Sequence, residues 1–135
     1  MSAAKRRPEV TSPFARLVGL SFPEGGGPQC QMKIEENVLN VYGTVHGGAI
    51  STMADVSMGY AVFENLREDE RLTTLEMKIN YIAAVSSGVL TAQARLIKRT
   101  RNLAVVESRV ECEGRLVAIA LGTYYLSKKG PRESA

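Results

Sequence analysis

From Gly47 to Phe63 the chain reads GGAISTMADVSMGYAVF, and Asp55 is the only charged residue in that stretch. A helix that is apolar almost all round has no face to give to water, so it must be buried. The remaining sequence therefore has to cover it. The placement of one carboxylate in the middle of this helix is the feature that most needs a chemical explanation.

The covering material reads as strands. In TLEMKINY, Leu75, Met77, Ile79 and Tyr81 alternate with Glu76, Lys78 and Asn80, the period of a half-buried strand. VLTAQARLIK alternates less sharply. VVESRVECE sets Val106, Ser108, Val110 and Cys112 against Glu107, Arg109, Glu111 and Glu113. RLVAIALGTYYL is apolar on both sides, which predicts a central or covered strand. Turn signals at Ser86-Ser87-Gly88, Arg101-Asn102 and Glu113-Gly114 are spaced for successive antiparallel hairpins. Upstream, Ser12-Pro13 predicts a helix start, with a short helix through FARLVGL. PEGGGP then breaks the chain, and CQMKIEEN predicts a further strand. Glu64 to Arg71 reads as a charged connector. One helix set against an antiparallel sheet is an α+β domain. It is expected over 12–127, with a loose polar lead at 1–11 and a loose tail at 128–135.

Bulk properties narrow the function class. A chain of 135 residues suffices for one domain with a real core. The net charge of +3 is spread out, with no basic arm and few aromatics, which argues against a nucleic-acid partner. The long stretch around the helix carries Asn, Thr, Ser and Gly throughout and does not read as a membrane span. No apolar segment follows the basic N-terminus, so no secretory signal is predicted and the cytoplasm is the expected compartment. Cys30 and Cys112 lack metal-ligand spacing, and the chain has one histidine; both thiols are expected as small buried apolar groups, with no metal site.

The chemistry concentrates at the helix entry, NVYGTVHGG. A helix N-terminus offers unpaired N–H groups and the positive end of the dipole. Gly47 and Gly48 let a ligand oxygen come close to those groups, which suits a carbonyl that gains negative charge under attack. Asp55 would supply a base or nucleophile. Its structural alternative is a carboxylate satisfied by Ser51 or a neighbouring backbone N–H. His46 has a structural alternative too, capping a carbonyl at the loop end, and the glycine pair alone would serve as a tight helix entry.

Gly47 and Asp55 are separated by roughly 12 Å along one helix, at ~1.5 Å per residue. They cannot both serve one carbonyl carbon. A catalytic role for both predicts an obligate dimer in which Gly47 of one copy faces Asp55 of another across a two-fold axis.

The spacing Asn40-x-x-Gly43-x-x-His46-Gly47-Gly48, with Asp55 nine residues after the histidine, resembles the signature of hotdog-fold thioesterases, most closely the phenylacetate-degradation (PaaI-like) and thioesterase-superfamily-member group. The resemblance runs from about Phe14 to Leu126. It implies an antiparallel sheet wrapped around one long helix, in dimers or dimers of dimers. It also implies hydrolysis of acyl-CoA thioesters without metal or organic cofactor. Position by position, it gives Asp55 the role of general base or nucleophile and Gly47 N–H that of carbonyl donor. Asn40 and His46 would orient the site and help the thiolate leave. The family's hydroxyl on the next strand falls on Thr74, with Thr73 beside it. An Arg-Pro pair common after that strand is replaced here by Ala83-Ala84.

Gly48 and the basic segment Lys98-Arg99-Thr100-Arg101-Asn102 are the candidates for CoA contacts, Arg99, Arg101 and Asn102 in particular; the alternative for that segment is a solvated hairpin turn. Met53, Met58, Tyr60 and Phe63 are either core or the wall of an acyl pocket. Two other functions fit the same fold: a non-catalytic acyl-CoA sensor, which would not need Asp55, and a hydratase or dehydratase, which would place its histidine and carboxylate in other surroundings. A serine hydrolase is excluded by the lack of a G-x-S-x-G elbow, and a phosphate cradle at Gly25–Gly27 by the lack of a following Lys-Ser/Thr.

Overall fold

The computed structural model describes residues 12–129. The loose lead expected at 1–11 lies outside them, as does the tail expected at 128–135 from residue 130 onward; Lys128, expected in that tail, is instead the last residue of a strand. The elements are α1 (Pro13–Leu17), β1 (Leu20–Ser21), β2 (Gln29–Lys33), α2 (Gly47–Phe63), β3 (Glu70–Tyr81), β4 (Val89–Arg99), β5 (Leu103–Cys112) and β6 (Arg115–Lys128). A single 3₁₀ turn at Glu36–Val38 leads into the α2 entry loop. All strands are antiparallel in one six-stranded sheet of order β1-β2-β4-β5-β6-β3. The sheet curls around α2, which packs against β2 through β6. This is the hotdog architecture.

Several local expectations are corrected. Ser12 does cap α1, its Oγ accepting from Ala15 N–H at 3.3 Å. The helix is nevertheless shorter than FARLVGL, because Gly19 adopts φ 78° and ends it in a left-handed C-terminal turn. Leu20 then begins β1. The strand expected across CQMKIEEN stops at Lys33, and Glu36–Val38 coil into the 3₁₀ turn instead.

The hairpin succession holds for β4, β5 and β6 only. Glu113 and Gly114, at φ 51° and 83°, make the tight β5–β6 turn whose twist suits a two-residue hairpin. Ser86–Gly88 do not close a hairpin. β3 pairs with β6, and β4 pairs with β2, so the chain crosses from one part of the sheet to another between β3 and β4.

β3 is an edge strand with a β-bulge between Thr74 and Glu76. The extra residue changes the phase of the strand. Glu70 and Leu72 turn inward before it, Met77 and Ile79 after it, while Leu75 is 56% exposed. The simple alternation from Leu75 to Tyr81 therefore does not survive at either end.

The core lies between sheet and helix. Met53, Ala54 and Met58 of α2 meet Val106 and Val110 of β5 and Leu90 and Ala92 of β4, all fully buried. β6 lies inside the sheet as its apolar sequence required, with Ala118, Ala120, Gly122, Tyr124 and Leu126 turned inward. Its outer face is not covered in the single chain, where Leu121 is 47% exposed. Ser57 and Ser108, both fully buried, hydrogen-bond each other at 2.7 Å across the helix–sheet interface. Cys30 and Cys112 are both buried, as expected.

Candidate active site

The site starts from the loop before α2. Asn40 Oδ1 accepts from the N–H groups of Tyr42 (2.9 Å) and Thr44 (3.2 Å), and its Nδ2 donates to Thr44 Oγ1 at 2.9 Å. All its polar atoms thus shape the turn that delivers His46 to the helix start. His46 is the N-cap. Its Nδ1 accepts from Gly48 N–H at 2.8 Å, so the proton of the neutral ring sits on Nε2. Its side chain caps an N–H group, not a carbonyl.

Capping divides the two glycines. Gly48 N–H is taken by His46, and the N–H groups of Ala49 and Ile50 reach His46 O at 2.9 and 3.2 Å. Gly47 N–H makes no hydrogen bond to the described residues and remains available at the positive end of the dipole. The Tyr81 hydroxyl donates to Gly47 O at 3.2 Å. Its ring lies 3.4 Å from where a Gly47 side chain would begin.

Two turns further along α2 stands Asp55, half-buried rather than buried. Ser51 does not satisfy it; the Ser51 and Thr52 hydroxyls donate to Gly48 O at 3.0 and 2.8 Å. The partners of Asp55 come from the sheet. Thr74 Oγ1 donates to Asp55 Oδ1 at 2.9 Å, and Tyr124 OH donates to the same oxygen at 2.7 Å. Thr74 and Tyr124 are directly opposite each other on β3 and β6, so both project from the same face of the sheet. Burial, and then the negative charge of Asp55, hold the Tyr124 hydroxyl well above the ordinary phenol range. It is a donor at any working pH.

Sequence reasoning missed Tyr124. The available signal was a hydroxyl among small residues, at alternate positions of a strand with Ala118, Ala120 and Gly122 on the same face. Small side chains let the helix come close, and the one long polar side chain then has to meet it.

Asp55 and Thr74 also line a cavity of about 400 Å³. Its wall continues along α2 through Val56, Gly59, Tyr60 and Phe63 and is closed by Leu66 and Leu72. Tyr60 and Phe63 are thus cavity wall, while Met53 and Met58 are core. The volume falls in the range of small-molecule sites. Of the two carboxylates on its wall Glu70 is paired with Arg99, so Asp55 is the one left to meet an apolar group carrying a reactive centre.

The basic segment is divided in the structure. Arg99 turns to Glu70, with Nη2 at 2.8 and 2.6 Å from its two carboxylate oxygens, and Nη1 reaches Asn65 O. Arg99, followed by the Arg67 N–H, holds the Glu70 carboxyl below its usual range. Asn102 Nδ2 donates to Leu126 O at 3.2 Å. Arg101 is exposed and rims a hollow with Arg67, Asn102 and Lys128.

Gly47 N–H and Asp55 lie at two levels of one unbroken helix, about 12 Å apart along its axis. The two groups are not brought together within one chain.

Comparison with known proteins agrees with this fold. A Pseudomonas aeruginosa protein bearing an esterase name is 31% identical over 120 residues, 86% of this chain and 90% of its own length. A conserved protein of Pseudomonas aeruginosa has a solved structure that superposes with TM-score 0.84 at 34% identity, covering 91% of this chain and all of its own. A Bacillus halodurans protein solved with CoA superposes with TM-score 0.80 at 26% identity, covering 87% of this chain and 77% of its own. The family model described as the thioesterase superfamily matches residues 42–119, more than half of the sequence. The chain belongs to the thioesterase superfamily, and is a hydrolase of thioester bonds.

Proposed function

We propose that this protein hydrolyses acyl-CoA thioesters at sites shared between two copies of the chain. The observation that carries the proposal is the position of Asp55. Its carboxylate is anchored by the sheet and lines an apolar cavity, while the free Gly47 N–H lies out of its reach on the same helix. CoA in the structure of the Bacillus halodurans relative supports the choice of carrier.

In this mechanism the thioester carbonyl oxygen accepts from Gly47 N–H at the helix start of one copy. The donor strengthens as the oxygen becomes negative, the preference that lowers a barrier. Asp55 of the other copy takes a proton from water as the water attacks, and the CoA thiolate departs. Direct attack by Asp55 would give a mixed anhydride that water then opens. His46 presents its Nε2–H beside Gly47, where it can steady the leaving sulfur. The acyl group lies in the cavity beyond Asp55. Of the basic segment, Arg101 is left for the CoA phosphates, since Arg99 is engaged by Glu70 and Asn102 Nδ2 by Leu126 O.

Pairing through β3 supplies the second copy. β3 has an open edge, and Leu75, Tyr81 and Ile82 along it are each more than half exposed. Such an edge invites another strand. Tyr81 covers Gly47 and Thr74 holds Asp55, so an antiparallel two-fold pairing that sets one against the other is centred between Met77 and Lys78.

The deciding experiment is thiol release from acetyl-, phenylacetyl-, hydroxybenzoyl- and long-chain acyl-CoA, with wild type and Asp55→Asn side by side. Turnover should fall by at least ~10²-fold in the variant, the scale of losing a general base. Near wild-type turnover in Asp55→Asn would remove the assignment. Acyl-CoA binding with no turnover by the wild type would favour a sensor on the same fold.

A further inference from the structure

We infer that Tyr124 is the positioning residue of this site: with Thr74 it pins Asp55 Oδ1 and leaves Oδ2 as the oxygen that acts on water or substrate. The inference rests on the thioester-hydrolysis proposal above.

A carboxylate has two oxygens with about four lone-pair directions between them. Here both side-chain donors converge on one oxygen, Tyr124 at 2.7 Å and Thr74 at 2.9 Å. Oδ2 accepts no hydrogen bond from the described residues. Tyr124 OH also lies 2.9 Å from the backbone carbonyl of Asp55. A phenol has a single proton, and the shorter, charge-assisted contact to Oδ1 takes most of it. The tyrosine therefore touches both the side chain and the main chain of Asp55, which fixes the carboxylate relative to its own helix turn.

Rigidity comes from the surroundings. Tyr124 is fully buried in β6, between β5 and β3. One ring edge lies 3.2 Å from where a side chain at Gly122 would begin, so that glycine makes room for it. Thr74 stands opposite it on β3, next to the bulge. Two donors on adjacent strands thus aim one carboxylate. A base held in this way is already in place when the thioester arrives, and a small misplacement of a reacting group costs on the order of 10²-fold in rate.

A donor to the charged form favours that form, so removing it should make Asp55 protonate at higher pH. Tyr124→Phe keeps the ring and removes only the hydroxyl. Its kcat is expected to fall on the order of 10²-fold with KM little changed, and the acid limb of its pH–rate profile should move to higher pH. A merely structural tyrosine would not move that limb.

The second readout needs no substrate. Asp55 and Asp69 are the only aspartates in the chain, so carboxyl-labelled aspartate gives two NMR signals that Asp55→Asn assigns. The Asp55 titration midpoint should rise in Tyr124→Phe while that of Asp69 stays in place. If Tyr124→Phe does not fold, Thr74→Val on the exposed edge strand removes the companion donor, and the same midpoint must rise. A wild type that hydrolyses thioesters, beside a Tyr124→Phe with unchanged kcat and unchanged midpoint, overturns this inference alone. A wild type inactive on every thioester overturns both the inference and the proposal beneath it.

Discussion

Arg99 and Glu70 form the least exposed ion pair among the described residues, with Arg99 Nη2 within hydrogen-bond distance of both carboxylate oxygens. It ties the start of β3 to the end of β4, beside the cavity and the basic hollow.

The Glu70 carboxyl is held below its usual range, by Arg99 first and the Arg67 N–H second. A group whose folded value is depressed stabilises the fold above its unfolded value and loses that contribution as pH falls through the folded one. Wild-type melting temperature should therefore decline on acidification below the ordinary glutamate range. Glu70→Gln should be the less stable protein at neutral pH and should lose less on acidification, so the two curves converge. Parallel curves in thermal melts across that window would show that the pair is not the source.

Gly47→Pro deletes one N–H and little else, because proline suits the first position of a helix and His46 already has the extended backbone that proline requires before it. Alone it should lower turnover by ~10²–10³-fold, the scale of losing an oxyanion donor. Mixed with Asp55→Asn, random subunit exchange makes half the dimers mixed, each with one complete site. Activity should return to about a quarter of wild type. No recovery after exchange verified by mass spectrometry would mean that the sites are not shared.

Gly59 is the point where the cavity can be narrowed without disturbing the fold. A side chain added there would lie 3.7 Å from Leu72 and 3.8 Å from Tyr124, ordinary contact distances. Gly59→Ala should stabilise α2 by about 0.5–1 kcal/mol, since glycine is a poor helix residue. It should also lower kcat/KM for bulky acyl groups more than for acetyl-CoA. An unaltered acyl profile would place the acyl group outside this cavity.

The long helix and its glycine entry were legible in the sequence because both are local: an apolar stretch with one charge, and a loop whose residues contact one another. The positions of β3 and β5 were legible from alternation, and that of β6 from its continuous apolar run, for the same reason. Strand order was not. The pairing of β3 with β6 joins residues far apart in sequence, and no local pattern distinguishes that partner from β4. The bulge at Leu75 was hidden too, since Leu75 is apolar and stands in step with Met77 and Ile79, which are on the phase the strand adopts only after the bulge. Among the site residues, Thr74 came from resemblance alone. Arg99 looked like part of a free basic cluster because its partner, Glu70, sat in what read as a connector.

The buried Ser57–Ser108 contact has a consequence for the aim of the whole site. A helix held only by apolar neighbours has little to fix its rotation, because one greasy contact replaces another at small cost. Each residue of slip turns α2 by roughly 100° about its axis. With Ser57 bonded to Ser108, such a slip would strand the Ser108 hydroxyl in the core, at roughly 1–3 kcal/mol, while Ser57 keeps its bond to Ala54 O on its own helix. That pair is an angular stop. Asp55, two residues before it, faces the sheet's donors partly because a serine with no part in the chemistry forbids the helix to roll.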